Sequence, residues 1–356
     1  MSSEVIGTIT VNAKELLRDK LSCNIASLLV AAILVGCGSS ERVMKTDQLV
    51  WPPPPEQPRI RFVREFTDRN SIEGSGASWL ATLAGEAPKD RMSKPYGVAA
   101  GRNGKVYVTD TGEKRVYVFD TKNAKLSFIG TTAAGPLSLP LGIAADSSGL
   151  VYVSDGALKS VMMYSEDGSL VRAIGSSKDF ANPVGIALDQ AKRRIYVVDS
   201  QLHEVKAFSM EGTFLFKFGK RGNEDGEFNF PTNVAVGKDG KIYVVETMNA
   251  RVQVFDSEGK FLFTFGSLGD SFGQFTRPKG IALDSEGNIY VVDAAFNNFQ
   301  IFDPKGTLLM FVGTLGKDPG MFWLPAGACA DEQDQIYVVD QMNQRVQVFQ
   351  FIKRPH

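Results

Sequence analysis

The sequence has little histidine, little cysteine and almost no net charge. Its 356 residues include two histidines and three cysteines, and 39 basic against 40 acidic side chains leave a formal net charge of −1. A catalytic zinc site generally takes three protein ligands, and a serine hydrolase triad takes a positioned histidine. His203 and the last residue, His356, supply neither set, and we expect His203 to be solvated in a loop. Without a basic excess there is no field to attract nucleic acid, so we predict no nucleic-acid partner.

The N-terminal part of the chain predicts export and a lipid anchor. The apolar run "NIASLLVAAILVGC" (24–37) is too short to cross a bilayer but suits the core of a secretory signal. Its end, Leu34-Val35-Gly36-Cys37, resembles the bacterial lipobox, in which cleavage leaves a lipid-modified cysteine as the first residue. We therefore predict a signal peptide at residues 1–36 and lipidation of Cys37. The protein would contact the membrane through this lipid alone, in the bacterial cell envelope, with Gly38 favouring the outer membrane, facing the periplasm or outside.

A tether and a single free thiol are predicted downstream of the anchor. Residues 37–58 contain "WPPPPEQP", and a run of prolines favours the extended polyproline II conformation, at about 3 Å per residue. Once Cys23 has left with the signal and Cys37 carries lipid, Cys329 has no partner for an internal disulfide. We expect Cys329 to be a small buried side chain without special reactivity.

The sequence from residue 92 onward is built of six repeats. Each repeat contains an apolar residue, a proline three positions later and then a tyrosine-centred run such as "IYVVD". The tyrosines, spaced by 45, 44, 47, 47 and 47 residues, are Tyr107, Tyr152, Tyr196, Tyr243, Tyr290 and Tyr337. The prolines are Pro95, Pro140, Pro183, Pro231, Pro278 and Pro325. A unit of this length recurring in a fixed order indicates a repeat architecture.

Each repeat contains four short predicted strands that are apolar on both faces. In the fourth repeat these are "NVAV", "KIYVVE", "RVQVFD" and "KFLFTFG", separated by turns that contain glycine. A sheet that is apolar on both sides must be covered on both sides, and radially stacked four-stranded blades achieve this. The pattern therefore predicts an all-β fold, a six-bladed β-propeller.

The last repeat has one strand too few, and one strand precedes the first repeat. No fourth strand follows "RVQVFQF" (345–351), whereas "RIRFVREF" (59–66) alternates like a strand and has no repeat of its own. We predict that residues 59–66 complete the last blade as its outermost strand. Such closure removes an open sheet edge and makes residues 59–356 one propeller domain.

The repeats resemble a known family. Segments such as "FTRPKGIALDSEGNIYVVDAAFNNFQIFD" are similar to NHL repeats, and the lipobox together with "WPPPPEQPRIRF" resembles uncharacterised propeller lipoproteins of bacteria. The resemblance implies a six-bladed propeller. It implies no single activity, because propellers host binding scaffolds, sensors, lyases and lactonases.

A carboxylate closes each tyrosine-centred run, on the face where the chain enters the inner strands. These residues are Asp110, Asp155, Asp199, Glu246, Asp293 and Asp340. We expect them to hold their own loops through backbone amides and through an arginine five residues on, which is present as Arg115, Arg251 and Arg345. Asp155, Asp199 and Asp293 lack that arginine, so the alternative for them is a divalent cation at the mouth of the channel. We predict no other cofactor.

Aromatic and basic residues near the repeat prolines indicate a binding surface in blades four to six. Where other repeats have small or polar residues, these repeats have Phe230, Arg277, Lys279, Phe296 and Trp323. Aromatic and arginine side chains are the residues that dominate protein interfaces. We therefore expect a lipid-anchored envelope scaffold that binds a protein or a glycan on this face, more than an enzyme. The alternative is a divalent-metal-dependent hydrolase or lyase with its site at the channel mouth.

Overall fold

The computed structural model describes residues 49–74, 90–132 and 135–353. Strands dominate these residues, which contain one four-residue helix, α1 (Asn70–Glu73), and a 3₁₀ turn at Arg102–Gly104. No helix in these ranges is long and apolar enough to cross a membrane. The predicted signal peptide and Cys37 lie outside the described residues.

The strands form six antiparallel sheets that follow the six repeats. Two strands precede the repeats, β1 (Val50–Trp51) and β2 (Ile60–Phe66). Blade 1 contains, from the channel outward, β3 (Pro95–Ala100), β4 (Lys105–Asp110), β5 (Arg115–Asp120) and β6 (Lys125–Ile129). Blade 2 contains β7 (Pro140–Ala145), β8 (Val151–Asp155), β9 (Ser160–Tyr164) and β10 (Leu170–Ile174). Blade 3 contains β11 (Pro183–Asp189), β12 (Arg194–Asp199), β13 (Glu204–Ser209) and β14 (Phe214–Phe218).

The second half of the ring repeats this order. Blade 4 contains β15 (Pro231–Val236), β16 (Ile242–Glu246), β17 (Arg251–Phe255) and β18 (Phe261–Phe265). Blade 5 contains β19 (Pro278–Leu283), β20 (Ile289–Asp293), β21 (Asn298–Phe302) and β22 (Leu308–Val312). Blade 6 contains β23 (Pro325–Ala330), β24 (Gln335–Asp340) and β25 (Arg345–Phe351), followed by β2 and β1. The predicted six-bladed propeller is confirmed.

The N-terminal strand closes the ring as the strand count predicts. Strand β2 pairs antiparallel with β25, with Ile60 opposite Phe351. An ion pair of 2.8 Å between Glu65 and Arg345 joins the same two strands. Strand β1 adds a short fifth strand, and the ring of Trp51 lies 5.8 Å from that of Phe349. This part of the predicted tether therefore belongs to the folded unit.

The hydrophobic core lies between the blades. Each innermost strand packs beside the innermost strand of the next blade, and β23 packs beside β3, so the six blades surround a central channel. Buried apolar side chains form six clusters, one between each pair of neighbouring blades. The six repeat tyrosines and the six apolar residues ahead of the prolines all lie in the buried class. Both faces of every sheet are covered, which explains why the strands are apolar on both faces.

Candidate functional site

One face of the propeller, which we call the loop face, carries the start of every innermost strand. Because the strands of a blade are antiparallel, the second strand ends where the first begins, as Asp110 opposite Pro95 shows in blade 1. The loop face therefore consists of the loop ahead of each repeat proline and the loop joining the second and third strands. The six predicted carboxylates stand at this edge of the sheets.

Asp155 holds both loops of blade 2 through backbone amides. Its Oδ2 accepts the N–H of Ser138 at 2.7 Å, and its Oδ1 accepts those of Ala157 and Leu158 at 3.0 and 2.9 Å. The amide of Leu139 lies 3.0 Å from both oxygens. The same pattern of donors surrounds Asp110, Asp199 and Asp293.

The carboxylates considered for a divalent cation do not reach the channel. Asp155, Asp199 and Asp293 have no solvent-exposed surface, and the channel wall comes from the innermost strands, one strand further in. Their oxygens already accept several N–H groups each. In the described part of the chain, no group of three or more His, Cys, Asp or Glu side chains is arranged to hold a metal ion. The geometry is that of structural acids that fix their own loops.

Blades 4 and 6 hold their loops with an arginine. Nε of Arg251 donates to Glu246 at 2.6 Å, and Nε of Arg345 donates to Asp340 at 2.8 Å. These two predicted pairings are confirmed, whereas Arg115 pairs with a neighbouring glutamate and not with the carboxylate of its blade. Arg115 does not pair with Asp110 because the oxygens of Asp110 already accept backbone N–H groups of the two loops of blade 1. Burial raises the pKa of Asp340 above its ordinary value, against the hydrogen bonds that lower it.

His203 links two blades and is buried, so the expectation of a solvated side chain is wrong. Its residue lies in a left-handed backbone conformation with φ 56° and is 6% exposed. Nδ1 accepts the N–H of Phe230, 27 residues on, at 3.1 Å, and the two rings meet edge to face at 4.8 Å. Asn297 of blade 5 makes the equivalent link to blade 6, since its Oδ1 accepts the N–H of Leu324 at 2.9 Å.

The five residues predicted to bind a ligand all lie on the loop face. Phe230 and Trp323 are 43% and 40% exposed, and Arg277 is exposed too. Phe296 is half-buried, and its N–H and that of Arg277 both donate to Asp293, so these two residues sit together on blade 5. Lys279 is half-buried and lines the channel. The aromatic rings of the set do not stack on one another in the described residues.

The exposed apolar side chains of the loop face extend beyond blades four to six. We call apolar crown those that lie within two residues ahead of a repeat proline or within three residues after a blade carboxylate, namely Leu139, Leu158, Leu202, Phe230, Met248, Trp323 and Met342. Leu268, Phe272, Leu315 and Met321 are exposed too, further ahead of the prolines of blades 5 and 6. Within the crown, Met248 is the most exposed, at 61%. Comparing the residues two and three positions after each carboxylate would have revealed four of them in the sequence. The crown therefore covers blades 2, 3, 4 and 6.

A channel of ≈ 240 Å³ runs through the centre of the ring. It is lined by backbone and apolar side chains of the six innermost strands and by the polar residues Thr232, Asn233 and Gln190, with Tyr96 and Lys279 at the loop-face end. Cys329 lines it too, half-buried. Burial raises the pKa of its thiol, which therefore stays protonated and weakly reactive.

Family models match two parts of this chain. Residues 236–299 match a model described as a 6-bladed beta-propeller, and residues 322–349 match the NHL repeat. Together with the six sheets, these matches make the chain a six-bladed β-propeller that contains NHL repeats. "Protein brain tumor" of Drosophila melanogaster is 39% identical over 57 residues, which is 16% of this chain and 5% of that protein.

Solved structures share the fold at low sequence identity. A protein of unknown function from Bacteroides thetaiotaomicron superposes with a TM-score of 0.57 and 17% identity, over 74% of this chain and 70% of that one. A streptogramin B lyase superposes with a TM-score of 0.55 and 14% identity, over 73% of this chain and 94% of the lyase. At these identities the likeness concerns the fold alone.

Proposed function

We propose that this propeller is a binding scaffold whose loop face receives a protein partner. The observation that carries the proposal is the apolar crown, seven large apolar side chains that are exposed on a single face. Exposed apolar surface of this kind marks interaction sites on soluble domains, since it lowers solubility when nothing covers it. A rigid ring of six blades holds these side chains in fixed positions, which reduces the entropy lost on binding.

The composition of the surface supports a protein more than a glycan. Aromatic residues, methionine and arginine are enriched in protein interfaces. The loop face offers Phe230, Trp323, Met248, Met342 and Arg277. Leucine adds apolar contact but no hydrogen bond to a sugar hydroxyl, and the thioether of methionine is only a weak acceptor. The two methionines adapt to the shape of a partner because their side chains are unbranched and flexible.

The alternative, a divalent-metal-dependent hydrolase or lyase, rests on the shared fold. The lyase neighbour is 14% identical, and a propeller fold hosts many activities. The carboxylates that would bind a metal have their oxygens engaged by backbone amides of their own loops. The binding function therefore has support from this chain's own surface, and the enzyme has none beyond the fold.

The proposal includes a lipid anchor at Cys37 in the bacterial cell envelope. Its support is the lipobox-like sequence and the apolar run ahead of it. Cys37→Ser should release the protein from membranes and abolish metabolic labelling with a palmitate analogue. Equal labelling of the wild type and the variant would contradict the anchor.

The experiment for the proposed function is a cross-linking pull-down in the native host. It compares the wild type with a variant, called the crown variant, that carries Phe230→Ala and Trp323→Ala in the crown and Phe296→Ala beside it on the loop face. We expect one protein to be captured by the wild type and lost from the crown variant. The captured partner, once purified, should bind the wild-type propeller directly. Its binding to the crown variant should be at least about tenfold weaker, because truncation of each aromatic anchor costs about 2 kcal/mol or more.

A matched control comes from the rim of the ring. Leu215, Leu262 and Leu309 occupy equivalent, exposed positions on the outermost strands β14, β18 and β22. Their triple alanine variant removes a similar amount of exposed apolar surface away from the loop face. It should capture the same partner as the wild type. Loss of the partner from the rim variant, with retention by the crown variant, would place the interface on the rim and overturn the proposal.

A further inference from the structure

Lys279 is the single charged residue among those that line the channel in the described part of the chain. It directly follows the repeat proline of blade 5, so it lies at the loop-face end. Its ammonium is 5.9 Å from the centre of the Tyr96 ring, which comes from blade 1 and packs against the cluster between blades 3 and 4. The tyrosine and the lysine thus narrow the mouth of the channel from different blades.

The positive charge of Lys279 has no counter-ion. Among the described residues, no carboxylate lies within ion-pair distance of its Nζ, and no hydrogen bond of Nζ to a protein group is formed. Burial lowers the pKa of Lys279, and the nearby charges of Arg277 and Lys94 lower it further. Lys279 is therefore the cation inside the mouth, and Arg277 of blade 5 and Lys94 of blade 1 are exposed on the loop face and do not line the channel.

The carboxylates closest in sequence do not neutralise these cations. Asp110 accepts the backbone N–H of Lys94 at 3.0 Å, and Asp293 accepts that of Arg277 at 3.2 Å. Both acids are fully buried and face the loops of their own blades. A desolvated ammonium without a partner destabilises a fold, so its position calls for an anion from outside.

We propose that the mouth of the channel is a receptor for an oxyanion, a carboxylate or phosphate group carried by the ligand. Lys279 contacts the anion directly, and Arg277 and Lys94 supply further charge from the surface. The hydroxyl of Tyr96 is available as a donor, since no described residue accepts a hydrogen bond from it. The inference rests on the proposed function and specifies it: the partner presents an anionic group at the centre of the apolar crown.

The size of the channel limits what enters it. Pockets for drug-sized ligands measure about 300–1,000 Å³, and this channel has ≈ 240 Å³, narrowed at its mouth by Tyr96. A terminal carboxylate or a single phosphate group fits such a space, whereas a folded segment does not. The surrounding crown then covers the apolar surface of the partner around that group.

Isothermal titration calorimetry of the full chain with inorganic phosphate and with acetate tests the receptor. Ionic strength is kept constant with chloride, and the stronger of the two anions identifies the chemistry. We expect saturable binding of at least one anion, weakened about tenfold or more by Lys279→Met, since the variant removes the charged hydrogen-bond donor. Arg277→Gln, at an exposed position, should weaken it severalfold.

The matched control is Lys238→Met, which removes the same charge from an exposed turn between β15 and β16, at the opposite end of the blade. It should leave anion binding unchanged. Absence of saturable binding to the wild type, or equal losses in the two lysine variants, would overturn the inference. The calorimetric titration needs no macromolecular partner. If no anion binds but the partner is still captured through the crown, only the anion site at the channel mouth is contradicted. Partner capture that is independent of the crown, with anion binding intact, contradicts the proposed function.

Discussion

His203 and Phe230 join blade 3 to blade 4 through one hydrogen bond and one ring contact. The imidazole Nδ1 accepts the Phe230 amide at 3.1 Å, and the rings meet edge to face with their centres 4.8 Å apart. In blades where a carboxylate holds the amide ahead of the repeat proline, no such link is needed. Glu246 of blade 4 accepts hydrogen bonds from the side chains of Arg251, Gln253 and Asn249 and from the backbone N–H of Asn229. The Phe230 amide therefore has its acceptor, His203, in the previous blade.

Replacing His203 should therefore destabilise the ring. His203→Ala leaves the Phe230 amide without its acceptor and removes the ring contact. We expect a loss of about 1–3 kcal/mol in the free energy of unfolding, measured by urea denaturation. Asn297 performs the same task for Leu324, so His203→Asn should retain most of the stability, since asparagine also tolerates the left-handed backbone. Equal losses in both variants would show that the hydrogen bond is not the stabilising element.

Closure of the ring by β2 predicts a large effect of a small truncation. Phe62 is 4% exposed, lies in the cluster between blades 5 and 6, and packs edge to face on Phe349 with ring centres 5.8 Å apart. Phe62→Ala should reduce the free energy of unfolding by about 3–5 kcal/mol. Leu262→Ala, on the outermost strand of blade 4, is the control, with an expected change within about 0.5 kcal/mol because the side chain is exposed. Similar melting of both variants would mean that β2 contributes little to the ring.

The repeats made the fold predictable, because six copies of one pattern fix the strand number, the period and the missing strand of the last blade. The burial of the six repeat tyrosines agrees with strands that are apolar on both faces. Strand β1 was not predictable, since two residues, Val50 and Trp51, carry no recognisable period. Four prolines directly after Trp51 suggested an extended tether, and the pairing with β2 overrides that local preference.

The site was less predictable because its contacts join different blades. The bond between His203 and Phe230 links residues 27 positions apart, and in the described residues only Asn297, at the same repeat position, makes an equivalent link to the next blade. Position in the repeat identified Lys279 as unusual. The depth of its side chain and its approach to Tyr96 depend on how blades 5 and 1 face each other across the channel. The proximity of Lys279 to Tyr96 therefore depends on the closed ring and cannot be read from a single repeat.

The structural role of the carboxylates gives a test against the metal alternative. Asp155→Ala removes the acceptor of the amides of Ser138, Leu139, Ala157 and Leu158, and we expect a loss of about 3 kcal/mol or more in the free energy of unfolding. Bound divalent metal, measured by mass spectrometry of the purified protein, should not change.

The control for this comparison is the exposed acid Asp167 in a turn of the same blade, where Asp167→Ala should cost less than about 1 kcal/mol. If the wild type binds a stoichiometric metal ion that Asp155→Ala loses without a change in stability, the result would favour the metal-dependent enzyme instead.

Lys279 should reduce the stability of the ring when no anion is present. Burial and the charges of Arg277 and Lys94 lower its pKa below the ordinary value of 10.5, and burial raises that of the facing Tyr96, which stays neutral. The charged lysine is therefore disfavoured in the folded state, and the cost applies at every pH below the lowered pKa. In chloride buffer at pH 7, Lys279→Met should melt at a higher temperature than the wild type, as measured by calorimetry. As the pH rises through the lowered pKa towards 10.5, the folded wild type loses that proton, the cost disappears and the difference should shrink. A variant that melts lower than the wild type at pH 7, or a difference that does not change with pH, would show that the ammonium is not held against a desolvation cost.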